Sequence, residues 1–248
     1  MTATPLPAGP GKNVGRGRLS NVAERRLDRT AREVPSGTGL RLATMEDIPA
    51  LVDIVDWATS QTKREGLFLR MTEEFLAKFV QDGIVLLPVS DSKILGYSNA
   101  MQANSDHPPF LDGSYTRAPG LLFGTVLGPE ARAQGWHGRL IRIRMDIFRE
   151  AGIDSVQCTV SPYNRVSLGN LLAAGLRAYG LKDLLDGHPR FLLRHDFGQE
   201  AMPGPYCKLA LPASGSVADH RALLADGYVG VSLERGETSA LCYAAGSG

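Results

Sequence analysis

The stretch from Gly120 to Val160 restricts what this chain can fold into more than any other. Gly120-Leu-Leu-Phe-Gly-Thr-Val-Leu127 is a nearly unbroken apolar run of strand length, the pattern of a strand buried on both faces. It runs into the loop Gly128-Pro-Glu-Ala-Arg-Ala-Gln-Gly-Trp-His-Gly138. A helix follows, with Leu140, Ile141, Ile143, Met145, Ile147 and Phe148 as its apolar positions, and Gly152 stops it. Ser155 to Val160 then alternates like another strand. Strand, glycine-bearing loop, helix, strand is a crossover unit, so the fold class is α/β, with helices packed on a sheet.

The neighbouring segments fit that body. Gly39 to Thr44 alternates as a strand, and Thr44 can cap a helix running from Met45 to Thr59 with Asp47 at the third position of a capping box. A second helix after Met71 is marked by Phe75, Leu76, Phe79 and Val80 and ends at Gly83. Ile84–Val89 and Lys93–Met101 read as a hairpin joined by Ser90-Asp91-Ser92. Gln102 to Pro119 is a long polar loop, which makes it either functional or disordered. After Asn164, Ser167 to Ala174 reads as a helix ended by Gly175, with strands near Arg177–Leu181 and Arg190–Phe197. Beyond Gly198 come a strand at Lys208–Leu211, a helix capped by Ser216 and a hairpin around Glu234–Glu237. This β-α-β-β tail reads as a packing annex or a dimerisation element.

Three segments result: a basic N-terminal arm over residues 1–37, a main domain over 38–198 and a C-terminal extension over 199–248. The arm holds Arg16, Arg18, Arg25, Arg26, Arg29 and Arg32 among Pro, Gly and Ser, with few large apolar side chains, and reads as mobile. A short helix over Ser20–Arg32, with Ala23, Leu27 and Ala31 on one face, is the minority alternative, since it needs a body to pack on.

A formal charge of +1 gives no global field toward nucleic acid or an anionic membrane, and neither is expected as a partner. Cys158, Cys207 and Cys242 lie far apart with no C-x-x-C pair, so no metal cluster or disulfide framework is indicated. No apolar run approaches the length of a membrane span, and the Pro/Gly-rich N-terminus lacks the apolar block of a secretory signal, so a cytoplasmic location is expected.

The chemistry is concentrated in the loop before the long helix. A glycine-bearing loop that opens a helix directly after a buried strand gathers unpaired backbone N–H groups at the positive end of the helix dipole, which is a phosphate site. Gly135 permits close approach of the main chain, Gly138 relieves crowding on the first turn, and Arg132 adds a charged donor. The P-loop pattern G-x-x-x-x-G-K-[ST] and the dinucleotide pattern G-x-G-x-x-G are both missing at this turn, and no G-x-S-x-G elbow supports a serine hydrolase.

Leu127-Gly-Pro129-x-x-Arg132-x-x-Gly135-x-His137, then helix and strand, then Asn164-x-x-Ser167 with Gly175, resembles the GNAT superfamily of N-acetyltransferases over about Thr38 to Gly198. The resemblance implies a central twisted mixed sheet with flanking helices. It also implies acyl transfer from a phosphopantetheine thioester, acetyl-CoA or another acyl-CoA, to an amine of a small molecule or peptide, with no metal. Carried over, Arg132, Gly135 and Gly138 line the phosphate loop, while Ala133, Gln134, Trp136 and His137 offer main-chain amides. Val126 and Leu127 run beside the pantetheine, and Asn164 sits near the thioester.

This chain departs from the family pattern twice. His137 replaces the last small residue of the loop, and Leu171 occupies the position where many members carry a tyrosine that reprotonates the leaving thiolate. Tyr163 and Tyr179 are the nearby substitutes. The apolar strand supplies no carboxylate base, which leaves Asp106, His107, Asp112, Glu73 and Glu74; His107 is best by chemistry, because an imidazole titrates near the working pH. Two other readings keep the same cleft. An acyl carrier protein can present the same pantetheine thioester, and a non-catalytic module can bind coenzyme A as a sensor or scaffold. All of these require that the amides from Arg132 to Gly138 be free of protein acceptors.

Overall fold

The computed structural model describes residues 16–30, 33–62, 64–67, 70–184, 187–198, 207–212, 217–236 and 238–246. One mixed sheet carries the fold. Its strands are β1 (Gly39–Leu42), β2 (Ile84–Ser90), β3 (Lys93–Ile94), β4 (Gly96–Gln102), β5 (Gly120–Leu127), β6 (Ser155–Val160), β7 (Arg177–Leu184), β8 (His188–Asp196), β9 (Cys207–Ala210), β10 (Tyr228–Glu234) and β11 (Ala240–Ala245). They lie in the order β1-β2-β4-β5-β6-β8-β7-β10-β11-β9, with the short β3 paired to β2. The hairpin expected over 84–101 forms, with Asp91 and Ser92 both at positive φ in its turn and its second limb interrupted at Leu95.

Helices cover both faces. On one lie α1 (Arg16–Leu27), α4 (Trp136–Glu150), α5 (Arg165–Ala173) and α6 (Ala218–Ala225); on the other, α2 (Ile48–Ser60) and α3 (Glu73–Asp82). Strand β2 shows how the sheet serves two cores: Ile84 and Leu86 join the α4 side, whereas Val85 and Leu87 face α2 and α3. That two-faced burial is why its sequence is apolar at successive positions.

Two local expectations hold with small shifts. A 3-10 turn over Met45–Asp47 precedes α2, and the Thr44 amide donates to the Asp47 carboxylate at 2.8 Å. The Arg41 guanidinium holds that carboxyl down to about 2. The helix expected over Ser167–Ala174 forms as α5 two residues earlier, at Arg165, because Asn164 caps it, its side chain accepting from the Ser167 amide at 3.0 Å. Ser216, expected to cap α6, lies outside the described residues.

The mobile-arm expectation fails for Arg16–Leu27, which is a helix docked on α4. Leu19, Val22 and Ala23 enter the main core. Arg26, buried, bonds Glu33 and Asp146 at 2.9 Å each, and Arg29 bonds Glu150 at 2.6 Å. Two of the arginines that make the segment look solvated in sequence, Arg26 and Arg29, are neutralised by Glu33 and by Asp146 and Glu150 on α4, which supplements the narrow apolar stripe. Residues 1–15 lie outside the described residues.

Among the described residues, the one parallel pair is β5 with β6, which the crossover through α4 joins. Its register runs from Gly120↔Val156 to Leu122↔Cys158 and stops there, although β5 continues for five residues, to Leu127, and β6 continues to Val160. The other edge of β5 stays paired with β4 out to Gly96↔Leu127. From Phe123 onward β5 and β6 therefore separate, and the gap between them lies directly before the glycine-bearing loop.

Candidate active site

The loop after β5 folds as a 3-10 turn over Pro129–Ala131 and then an open turn into α4. Ala133 sits at φ +59° and Gly135 at φ +75°. A side chain at Gly135 would be strained, and its Cβ would meet Arg139 Nη1 at 2.5 Å. At Gly138 an added Cβ would meet only Arg142 Nη1, at 3.5 Å, so the crowding expected there is not present within the protein.

The amides of Ala131 and Arg132 donate back to Gly128 and Pro129, so the amide run expected from Arg132 starts one residue later, because the 3-10 turn takes up the Arg132 N–H; the first helical bond comes from Arg139 to Gly135. Between them, none of the amides of Ala133, Gln134, Gly135, Trp136, His137 and Gly138 donates to an acceptor among the described residues. Six successive donors at the positive end of a 15-residue helix are thus available to an anion.

Five of these six residues, all but Gln134, border a cleft of about 980 Å³, bounded along one side by Thr125, Val126 and Leu127 of the separated strand. Four arginines, Arg64, Arg132, Arg142 and Arg235, also line it. Arg132 does so while donating Nε to the Leu127 carbonyl and lying over the Trp57 ring. Through Leu67, Thr125, His137, Asn164 and Ser167 the cleft is continuous with an inner cavity of about 150 Å³ between β5 and β6.

The chain superposes on the GNAT-family acetyltransferase from Streptococcus pneumoniae with a TM-score of 0.50 and 20% identity, covering 65% of this chain and 99% of the other. For YncA of Salmonella typhimurium, assigned as an acetyltransferase and solved with its cofactor acetyl-CoA, the values are 0.51 and 16%, over 69% and 100%. For an N-acetyltransferase from Staphylococcus aureus Mu50 they are 0.53 and 12%, over 64% and 97%. This chain has the GNAT fold. No family model and no curated protein matches the sequence, so the likeness is one of structure.

Within this GNAT fold the sequence-derived residues fall into two groups. Val126, Leu127, Arg132, Ala133, Gly135, Trp136, His137, Gly138 and Asn164 all line the cleft, and His137 and Asn164 also reach the inner cavity. Gln134 does not line it with the others; its side chain turns back to the Glu130 carbonyl at 2.6 Å. His107 and Tyr163 are not brought in. The His107 ring packs among Phe75, Phe79 and Phe123, and burial pushes its pKa down. Phe123, not His107, lines the inner cavity. The Tyr163 ring lies under the Arg64 guanidinium, 3.4 Å from its Cζ. The loop that carries His107 is itself held in place: Asn104 Oδ1 accepts from the Asp106 and His107 amides, and Gln157 anchors Leu111 and Tyr115.

His137 turns out to be the distinctive side chain of the junction. Burial, with the nearby Arg144 charge, pushes its pKa down to about 4, so the imidazole is neutral. Asn170 Nδ2 lies 2.9 Å from Nδ1, which makes Nδ1 the acceptor and leaves the proton on Nε2. Leu171 lines the inner cavity, which places an apolar group where the family tyrosine was missed.

Sequence reasoning did not find Arg144 or Arg190. Both are buried, at 1% and 6% exposure, and both line the inner cavity. Arg144 is fixed by Leu140, Asn99 and Phe123 carbonyls and by Thr125 Oγ1, and burial pushes its pKa down to about 10. Its position on an otherwise apolar helix face was the available signal. Cys158 also lines the cavity, its thiol pushed up to about 12 by burial. Among the described residues no cluster of three or more His, Cys, Asp or Glu side chains could hold a metal, and no helix is long and apolar enough to cross a membrane.

Proposed function

We propose that this protein transfers an acyl group from coenzyme A to an amine, with donor and acceptor bound together. The observation that carries this reading is the run of six unengaged amides from Ala133 to Gly138, opening onto a cleft that leads between the separated strands. An anion-binding turn joined to a strand with a free edge fits a phosphate-bearing, amide-bearing arm. The residues present therefore suit coenzyme A, whose thioester supplies the activated acyl group.

Arg132, Arg142 and the free amides bind the phosphates, and Thr125 to Leu127 lie along the pantetheine. At the junction, the neutral His137 offers an Nε2–H donor that can stabilise negative charge on the thioester oxygen or departing sulfur. Asn164 acts as a positioning residue: it caps α5 and so fixes Ser167 at the cavity wall. Cys158 at about 12 is a neutral thiol at working pH, which favours direct attack by the acceptor over a cysteine-bound acyl group. With His107 behind Phe123, loss of the amine proton goes to water in the cleft.

The test is calorimetric titration with coenzyme A, followed by a donor panel of acetyl-CoA, longer acyl-CoA and acyl carrier protein read by mass spectrometry of the acceptor. Coenzyme A binding that weakens about tenfold in Gly135→Ala, together with acyl loss from acyl-CoA, is the expected result. Acyl loss from the carrier protein alone would transfer the reading to that donor. Binding with no turnover from any donor would make the protein a coenzyme A sensor, and no binding at all would remove the reading.

A further inference from the structure

Arg190 lies on β8, beside β6 and the inner cavity, and its environment is unusual for a cation. Its side chain is 6% exposed, yet Nε has no hydrogen-bond partner, and no carboxylate stands within ion-pair distance among the described residues. Burial alone acts on its pKa, and no acid raises it. A buried guanidinium without an anion is costly, and proteins keep such groups where a ligand completes them. Arg144, whose donors are spent on neutral acceptors, adds a second unneutralised positive charge to the same cavity.

The register shows from which side an anion would enter. In β6 and β8, Gln157 pairs with Arg194 and Thr159 with Leu192, so Arg190 shares its face with Leu192 and Arg194. That face is the one covered by the loop after β4, since Gln157 holds Leu111 and Tyr115 and Arg194 lies over the Tyr115 ring. Phe191, between them, belongs to the opposite core with α4 and α5. The phosphate turn and His137 open α4 on that opposite side, so Arg190 reaches the inner cavity from the face away from the phosphate turn.

We infer that the acceptor is a small amine bearing a carboxylate, an amino acid or close analogue, whose carboxylate pairs with Arg190 in the field of Arg144. This rests on the acyl-transfer reading for the role of the amine, but not for the site itself. The cavity of about 150 Å³ admits a group about the size of benzene, which suits the carboxylate-bearing end of a compact molecule. The carboxylate supplies the missing partner for Nε and holds the amine toward the gap between β5 and β6.

The experiment titrates the proteinogenic amino acids and the amines formed by their decarboxylation into the protein, with and without saturating coenzyme A, by calorimetry. At least one amino acid is expected to bind, with its amine about 100-fold weaker, and Arg190→Met is expected to lose that preference while binding coenzyme A within about twofold of wild type. Arg190→Lys should restore part of it. Because Arg190→Met also removes an unpaired buried charge, it should raise the Tm, a check that the variant is folded. Equal binding of amine and amino acid, binding that survives in Arg190→Met, or no binding of any amino acid in either condition overturns the inference. Failure of coenzyme A to bind, with the amino acid still recognised, overturns the acyl-transfer reading alone.

Discussion

His137 shows how one substitution changes a loop. Where a small residue would leave space, its ring fills the junction between the cleft and the inner cavity and hydrogen-bonds Asn170. Its folded pKa of about 4 lies below the ordinary value of 6.5. As pH falls, the unfolded chain takes up this proton first, so stability that is fully present above about 6.5 is lost on the way down to about 4. The loss between pH 6.5 and 5 is about 2 kcal/mol from this group. His107 and His220 are shifted in the same direction and add to it. Urea unfolding at pH 7.5 and 5 should show the drop, smaller in His137→Gln; equal stability at the two pH values would mean the imidazole is not held neutral. Between pH 6 and 8 the acylation rate should carry no inflection from this residue.

Helix α1 makes the corresponding point for an element. Its stripe of Leu19, Val22 and Ala23 is too narrow to stabilise a free helix, but α4 offers both an apolar groove and the acids Asp146 and Glu150. Leu19→Ala should cost about 2–4 kcal/mol in chemical unfolding, the range for a buried leucine. A mobile arm would show less than about 0.5 kcal/mol, the size of an ordinary surface change. The sequence offered a helix here only as the lesser alternative and over Ser20–Arg32, whereas the docked helix starts at Arg16; Glu33 is a near neighbour of Arg26, but Asp146 and Glu150, which tie Arg26 and Arg29 to α4, are more than a hundred residues away, and no local pattern reveals them.

For the whole molecule, the C-terminal strands extend the sheet instead of forming a separate body. Gly230 pairs with Ala178, so β10 covers what would be the free edge of β7, and α6 seats the buried His220 against Phe191 and Tyr243. The same segment brings Arg235 to the cleft. Truncation after Gly198 should expose the β7 edge and give soluble aggregates by light scattering. Arg235→Ala in the full chain should leave solubility unchanged while weakening coenzyme A binding about fivefold, the effect of one charge-assisted contact at an open site. If truncation yields a monodisperse protein with unchanged coenzyme A affinity, the tail has neither role.

The sequence alone determined the crossover from β5 through α4 to β6, the apolar residue at position 171 and most of the amide run, all but that of Arg132, because each is written in local chemistry: burial pattern, residue identity and helix-terminal geometry. Only the tertiary structure decided that His107 and Tyr163 stand away from the inner cavity, that α1 is docked, and that Arg144 and Arg190 meet around it. Those outcomes depend on strand register and on charges paired or left unpaired across distant segments, quantities that no window along the chain contains.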